Sequence, residues 1–597
     1  MSLAALLLAC SGSGQNVRRP VGGASGSDGT DEVTGTGGQG GKPTAPPADS
    51  AATPPVGDAA ATPGPDTALA GPADGPAAFP PGACAKLFGT GAVSEWVHYD
   101  QQGKLVYKPL NDRGDRIMDF SHAGYRGGGV AIPTVPVAVT LGPSGGDDTA
   151  AIQAALDMVS RLPLTNGVRG AVLLKPGTYR SGSTLDIAAS GVVLRGSGAR
   201  DGGTIIDLTS TSHLFVRIHG AGGRATAGPK VTITDEYVPA GATSFTVDDA
   251  SAFKVGDAVV IGRPVTAPWI ALLGMDKLVR DGAQQTWLSP GFNHTWERTI
   301  IALAGNKVTL DVPLSDSFDA RYVKPPGGSM QKYTFAGRIS QVGLEDFEIV
   351  APKRTADQAN DPTAHGGSQF TEITSTTDSW IRRVAGHNTV EGIHVESGSS
   401  RITIEDTVIT HDPTDYFTAS APFDYNVSAQ QVLLQRSASK GGNKIMMYTT
   451  HYAAGPNVVL NFDADGPSSH IQPHMKWATG LLVDNAVADS AGTGNNAGIA
   501  FMNRGTGGSG HGWAIGWGVA WNCTAPGILI QQPGGAMNWA IGCKGTPSAP
   551  TAAPGVPGAI PNGIFESVNI PVAPKSLYLA QLCERLGPQA LAAIGYE

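Results

Sequence analysis

At 597 residues the chain carries a formal net charge of -9 with only 15% charged residues and no basic block, which argues against nucleic acid as a partner. Gly at 81 and Pro at 43 indicate a turn-rich, mostly β protein, and 41% hydrophobic residues suffice for a large core. Length leaves the domain count open, because repeating β architectures run long as one unit.

Residues 1–10, MSLAALLLAC, are a short apolar run ending in Leu7-Leu8-Ala9-Cys10. This run is similar to the lipobox of bacterial lipoproteins, which implies lipidation of Cys10 and a membrane anchor. No other stretch approaches the roughly 18 apolar residues needed to span a bilayer. The expectation is an exported chain, lipid-anchored at a bacterial surface or in the periplasm, or extracellular. Residues 11–81 contain no aromatic before Phe79 and are expected to be a disordered tether, since they offer too little apolar surface to offset the entropy of ordering. Of five cysteines, Cys84, Cys523, Cys543 and Cys583 remain after Cys10, with no CxxC or Cys/His spacing that would suit zinc. Cys523 and Cys543 are about one solenoid coil apart and are expected to stack or pair on neighbouring turns.

Order is expected from Cys84, with residues 82–224 supplying an N-terminal cap and first coils. In GGDDTAAIQAALDMVSRL, Asp147 and Asp148 are N-cap candidates ahead of Ile152, Ala155, Leu156 and Val159, which share one helical face. Short β-branched segments follow, split by Pro-Gly and Gly-Ser turns. The order DFSHAGY, GDDTAAIQAALD, VLLKPGTY and VVLRGSG resembles the pectate lyase superfamily. That resemblance implies an all-β, right-handed parallel β-helix whose first coil is capped by the amphipathic helix. Lyases, glycoside hydrolases and phage tailspikes share this fold, so it does not by itself fix the reaction.

Residues 225–336 change texture: alternating segments with Gly-Asn and Val-Gly-Asp turns predict a small inserted β subdomain. Its Trp269, Trp287, His294 and Trp296 are secondary candidates for stacking on sugars, with packing inside the insert the commoner use of such residues. From 337 to 597, VGLEDFEIV, DSWIRRVAG, ITIEDTVIT, QVLLQRSAS, GLLVDNAVA, GVAWNC and NWAIGC read as further coils with loops of varied length. The tail, with Leu577, Leu579, Leu582 and Leu586 on one face, predicts a helix covering the last coil.

The candidate active-site wall is the stretch from Ser469 to Cys523. PHMKWATG and MNRGTGGSGHGW also look like a subgroup of bacterial β-helix proteins within that superfamily. The catalytic candidates are His474, Lys476, Arg504 and His511, each beside an apolar segment that holds it on a rigid wall. Tyr425, Lys444, Tyr448, His451, Trp477, Trp513 and Trp517 are substrate-binding candidates. A long groove suits a linear polymer, and cationic side chains suit an acidic polysaccharide bound by a monomeric chain. A lyase must neutralise a uronate carboxylate, place a base and protonate the leaving oxygen; Arg504, Lys476 or Lys444 answer the first need and His511 or His474 the second.

A glycoside hydrolase is the alternative, because GSGHGWAIG resembles the glycine-flanked histidine of polygalacturonases. Those enzymes also carry an Asn-Thr-Asp element and an Asp-Asp pair upstream of the histidine, and neither occurs between His387 and His511; the Asp-Asp pairs of this chain are Asp147-Asp148, at the predicted helix cap, and Asp248-Asp249, in the insert. Asp463 and Asp465 would have to serve, and as alternating acids they are equally candidates for calcium; no other cofactor is called for. A non-catalytic carbohydrate-binding solenoid is the third reading.

Overall fold

The computed structural model describes residues 80, 82–200, 202–210, 213–353, 368–412, 423–441, 445–466, 470–492 and 496–597, with the backbone alone at 445–448. The chain divides into two units, Met1–Leu69 and Ala70–Glu597. The first unit, with Cys10 and most of the expected tether, lies outside the described residues.

In the second unit 30 strands join one continuous hydrogen-bonded sheet whose ladders run parallel from coil to coil. One stacked column reads Val172, Leu194, Leu344, Ile381, Ile404, Leu434, Val459, Val483, Ala520, Ala540 and Phe565. All of these residues belong to or pack against a single apolar core inside the coils. The residues one position earlier form a second column, from Val193 and Trp380 through Leu433, Val458, Leu482 and Val519 to Trp539, that points out of the coils. These too are buried. Strands apolar on both faces are what a parallel sheet covered on its outside requires, which explains runs such as GLLVD. The fold is therefore an all-β parallel β-helix.

The corner after that strand is equally regular. Asp346, Arg383, Asp406, Arg436, Asn461, Asn485 and Asn522 follow it in successive coils, and after Gly542 Ser567 does so again; the eight non-glycine residues all have φ between 47° and 62°. Left-handed backbone disfavours most L-residues, so Asn and Asp dominate. The two arginines are held by pairing down the column, Arg383 Nε to Asp346 at 2.6 Å and Arg436 Nε to Asp406 at 2.8 Å.

The helix Thr149–Ser160 inserts Ile152, Ala155, Leu156 and Val159 into the coil core and closes its first turn. Of the two cap candidates, Asp147 does the capping, with Oδ1 accepting from Thr149 N at 2.9 Å. Asp148 turns away and accepts from Ser144 N and Arg180 N.

Residues Ala225–Thr334 contain a six-stranded antiparallel sheet with its own core around Trp296, Ile261 and Leu310. The C-terminal helix, Leu577–Leu586, does not cover the last coil as expected. It lies along the outer apolar column with the segment from Trp96 to Tyr125: Tyr578 Oη donates to Ala123 O at 2.8 Å, and Tyr125 N donates to Thr403 Oγ1 at 2.8 Å. The outer column is itself apolar, so burying the helix's leucines against it removes both surfaces from water. A disulfide joins Cys84 to Cys583 across 499 residues. Cys523 and Cys543 are free and buried, stacked on adjacent coils rather than paired.

Candidate active site

The basic residues singled out in the sequence converge. Successive coils bend outward at Thr450–Tyr452, Met475–Trp477 and His511–Trp513, and the bends are laced together: Tyr452 N donates to Lys476 O at 3.1 Å, Lys476 N to His511 O at 3.2 Å, and Trp477 N to Trp513 O at 2.9 Å. His451, Tyr452, Lys476 and Trp477 all take left-handed φ, which turns the chain sharply there. His451, Lys476 and His511 are thereby stacked. His474 meets His511 edge to face, ring centroids 4.7 Å apart. Arg504 Nη1 donates to His474 O at 2.9 Å. His451 is exposed, and the other four are half-buried.

The glycines of NRGTGGSGHGW have a steric role. The loop is closed by Arg504 N to Gly512 O at 2.8 Å and His511 N to Gly507 O at 3.0 Å. A Cβ on Gly508 would collide with His511 Nε2, and one on Gly512 with the Trp287 ring. The first glycine makes room for the imidazole, and the second lets the insert press against the loop. Arg280 Nη1 donates to Gly508 O at 2.9 Å from the insert side.

Electrostatics follow from the company these groups keep. Burial, then Arg504, His511 and His451, push the His474 imidazole down to about 3. Burial, then Arg504, Lys476 and His451, push His511 down to about 4. Burial lowers Arg504 to about 10, which leaves it charged at neutral pH. Burial and Lys476 lower His451 as well. Among the described residues neither Lys476 nor Arg504 has a carboxylate within ion-pair distance. Two cations facing neutral imidazoles with no internal counter-ion form a site complementary to an anion.

The aromatic candidates are a correction. Trp477, Trp513 and Trp517 are almost wholly buried, and each indole N–H is already used. Trp513 donates to Leu273 O at 3.1 Å, while Trp477 and Trp517 both donate to Asp316, each at 2.8 Å. Tyr425 stacks inside the coil core with its hydroxyl on Thr407 Oγ1 at 2.9 Å. None can offer a ring face to a sugar, because the insert covers the first three and the coil encloses the fourth. Trp269, Trp287, His294 and Trp296 are buried too, Trp269 and Trp287 packing against Trp477. Lys444 and the side chain of Tyr448 lie outside the described residues.

Asp316 escaped sequence reading. It is fully buried on the insert beside Arg263, with 3.6 Å between Oδ2 and Nε, and it fixes the indole adjacent to Lys476. A lone Asp in DVPLSDSF carries no local signal of that role. For the hydrolase alternative, Asp463 lies 3.7 Å from Lys440 rather than in the basic cluster, and Asp465 sits beside Asp489. Among the described residues no group of three or more His, Cys, Asp or Glu side chains is arranged to hold a metal, and no helix is long and apolar enough to cross a membrane.

The fold and cluster define a parallel β-helix protein with a cationic site on its coils. No protein-family model and no curated protein matches the chain. Solved structures similar to it include the gp54 tailspike of Acinetobacter baumannii bacteriophage AP22, in complex with A. baumannii capsular saccharide, at 10% identity and TM-score 0.33 over 67% of this chain and 51% of that one. The A-module of the mannuronan C-5 epimerase AlgE6 of Azotobacter vinelandii is similar at 12% identity and TM-score 0.29 over 69% and 75%. PfbA, a surface adhesin of Streptococcus pneumoniae, is similar at 11% identity and TM-score 0.36 over 70% and 80%. The chain spans about half the length of the tailspike.

Proposed function

We propose that this chain is an exported polysaccharide lyase that cleaves an acidic, uronate-containing polysaccharide by β-elimination. The observation that supports this reading is the convergence of Arg504 and Lys476 on two imidazoles held neutral, with no carboxylate among the described residues within ion-pair distance of either cation. A bound uronate carboxylate would sit between Arg504 and Lys476. Neutralising it makes the neighbouring carbon acid less costly to deprotonate, because charge developing on the carboxylate in the transition state meets fixed positive groups. A neutral His511 or His474 then accepts the proton alpha to the carboxylate. The C–O bond at the adjacent carbon breaks as its oxygen takes a proton from solvent, the imidazolium returns its own proton to solvent, and a carbon–carbon double bond forms with no net redox change. The substrate's own negative charge offsets the effect of Arg504 and Lys476 on the imidazoles and raises their basicity when it is needed.

The disulfide between Cys84 and Cys583 suits an oxidising compartment, in line with export and an anchor at Cys10. Incubation with a panel of uronate polymers, followed by ultraviolet absorbance of the unsaturated product, tests the reaction. New reducing ends without that absorbance would instead mean a glycoside hydrolase, and neither signal a carbohydrate-binding solenoid.

A further inference from the structure

A second cluster, of opposite charge, lies on the sheet that carries the cationic site. Strands Gln369–Thr374 and Glu391–Val395 pair in parallel, with Gln369 opposite Glu391 and Glu372 opposite His394. The same sheet continues through Phe423–Val427 and Ile445–Thr449 to His470–Ile471, and the Phe423 ring lies 6.2 Å from that of His474. Gln369, Thr371, Glu372, Glu391, His394 and Glu396 line a cavity of about 260 Å³.

The cavity is short of positive charge. Among the described residues no lysine or arginine is within ion-pair distance of Glu372, Glu391 or Glu396. Arg217, opposite Glu372 on the preceding coil, points to Asp186 at 3.4 Å, as does His219. His394 Nδ1 lies 4.0 Å from Glu391 and 3.9 Å from Glu396, but burial pushes this imidazole down to about 4, so it brings no charge at neutral pH. Asp424, whose charge also reaches His394, is engaged by His411 Nε2 at 2.8 Å. Burial and Glu372 push Glu391 up to about 7, against the amide of Gln369 that donates to it at 2.6 Å, and burial and Glu372 raise Glu396. His394 is nine-tenths buried, and neither its Nε2 nor Thr371 Oγ1 has a hydrogen-bond partner. Buried polar atoms and clustered acids without a counter-ion are costly unless something enters to satisfy them.

We propose that this cavity is a glycan subsite for a cationic sugar, a 2-amino-2-deoxyhexose whose protonated amine is held by Glu372, Glu391 and Glu396 while its hydroxyls meet His394 Nε2 and the Gln369 amide. An ammonium carries three donors and the cavity presents three carboxyls. A bare metal ion fits less well, since among the described residues no three such side chains come close enough to ligate one ion, whereas the longer N–H···O contacts of an ammonium ask for a wider spacing. The assignment rests on the cavity's own residues and is independent of the elimination chemistry at Arg504. A polymer lying along the sheet would present a basic residue here and an acidic one to Lys476 and Arg504.

Calorimetric titration of the full chain with a β-1,4-linked glucosamine tetramer and with its fully N-acetylated counterpart tests the subsite. The amine form should bind at least about tenfold more tightly. The double variant Glu372→Gln, Glu391→Gln should remove that preference, with thermal unfolding unchanged or raised because half-buried acids without a counter-ion are gone, while Arg504→Ala should keep it. Glu396→Gln alone should weaken the preference, which serves if the double variant fails to fold. Equal binding of the two tetramers, or binding of neither, overturns the proposal. So does release of reducing ends that Glu391→Gln abolishes, which would make the cavity a hydrolytic centre.

Discussion

His474 and His511 stand edge to face, their ring planes at 85°, because the bend at Lys476 donates its backbone N–H to the carbonyl of His511 on the next coil. The contact is thus set by the register of the solenoid. Arg504 closes the group from a glycine-rich loop, through the carbonyl of His474.

Arg504→Ala should lower kcat on a uronate polymer by about 10²–10³-fold, the usual loss when one charge-stabilising donor is removed. Among the described residues its guanidinium makes one backbone hydrogen bond and no ion pair, so unfolding temperature should fall little. A large fall in stability with unchanged turnover would contradict the assignment.

Asp316→Ala should destabilise the fold by about 3–5 kcal/mol, since it leaves Arg263 buried without its acid and frees two indole N–H groups. Asp316→Asn keeps an acceptor and should lose less. Denaturant unfolding of both variants measures the difference, and equal losses would show that charge is unimportant there.

His294 sets a pH dependence. Burial holds its folded pKa down to about 4, against about 6.5 unfolded, while its Nε2 bonds Tyr452 O at 2.8 Å. The unfolded chain therefore binds the extra proton between these values, and the stability that His294 contributes is present above pH about 6.5 and lost as pH falls toward about 4. Wild type should lose up to about 3 kcal/mol relative to His294→Gln over that window. Parallel pH curves for the two proteins would refute this.

Reduction of Cys84–Cys583, or Cys84→Ser with Cys583→Ser, should cost about 2–5 kcal/mol by releasing the ends of a long closed loop. Cys523 and Cys543 should resist alkylation until the solenoid unfolds, because both are buried in the coil core. Mass spectrometry of native and denatured protein after thiol labelling reads both effects.

The sequence by itself determined the repeating architecture and the membership of the basic site. Short apolar segments at coil spacing can be buried together only by stacking, the helix over Ile152 to Val159 announces its face by periodicity, and His474, Lys476, Arg504 and His511 sit beside strands whose register is fixed by the core. Which tryptophans face solvent was decided only in three dimensions. Trp477, Trp513 and Trp517 look like sugar platforms in a glycine-rich loop, but an insert some 200 residues earlier covers them and supplies Asp316 as their acceptor. The acidic cavity was likewise decided by stacking, since Glu372 and Glu391 become neighbours only when the coils align, and only there do burial and Glu372 raise Glu391. Periodicity reports the faces of a strand; contacts between distant segments depend on which surfaces remain to be covered once the coils have formed.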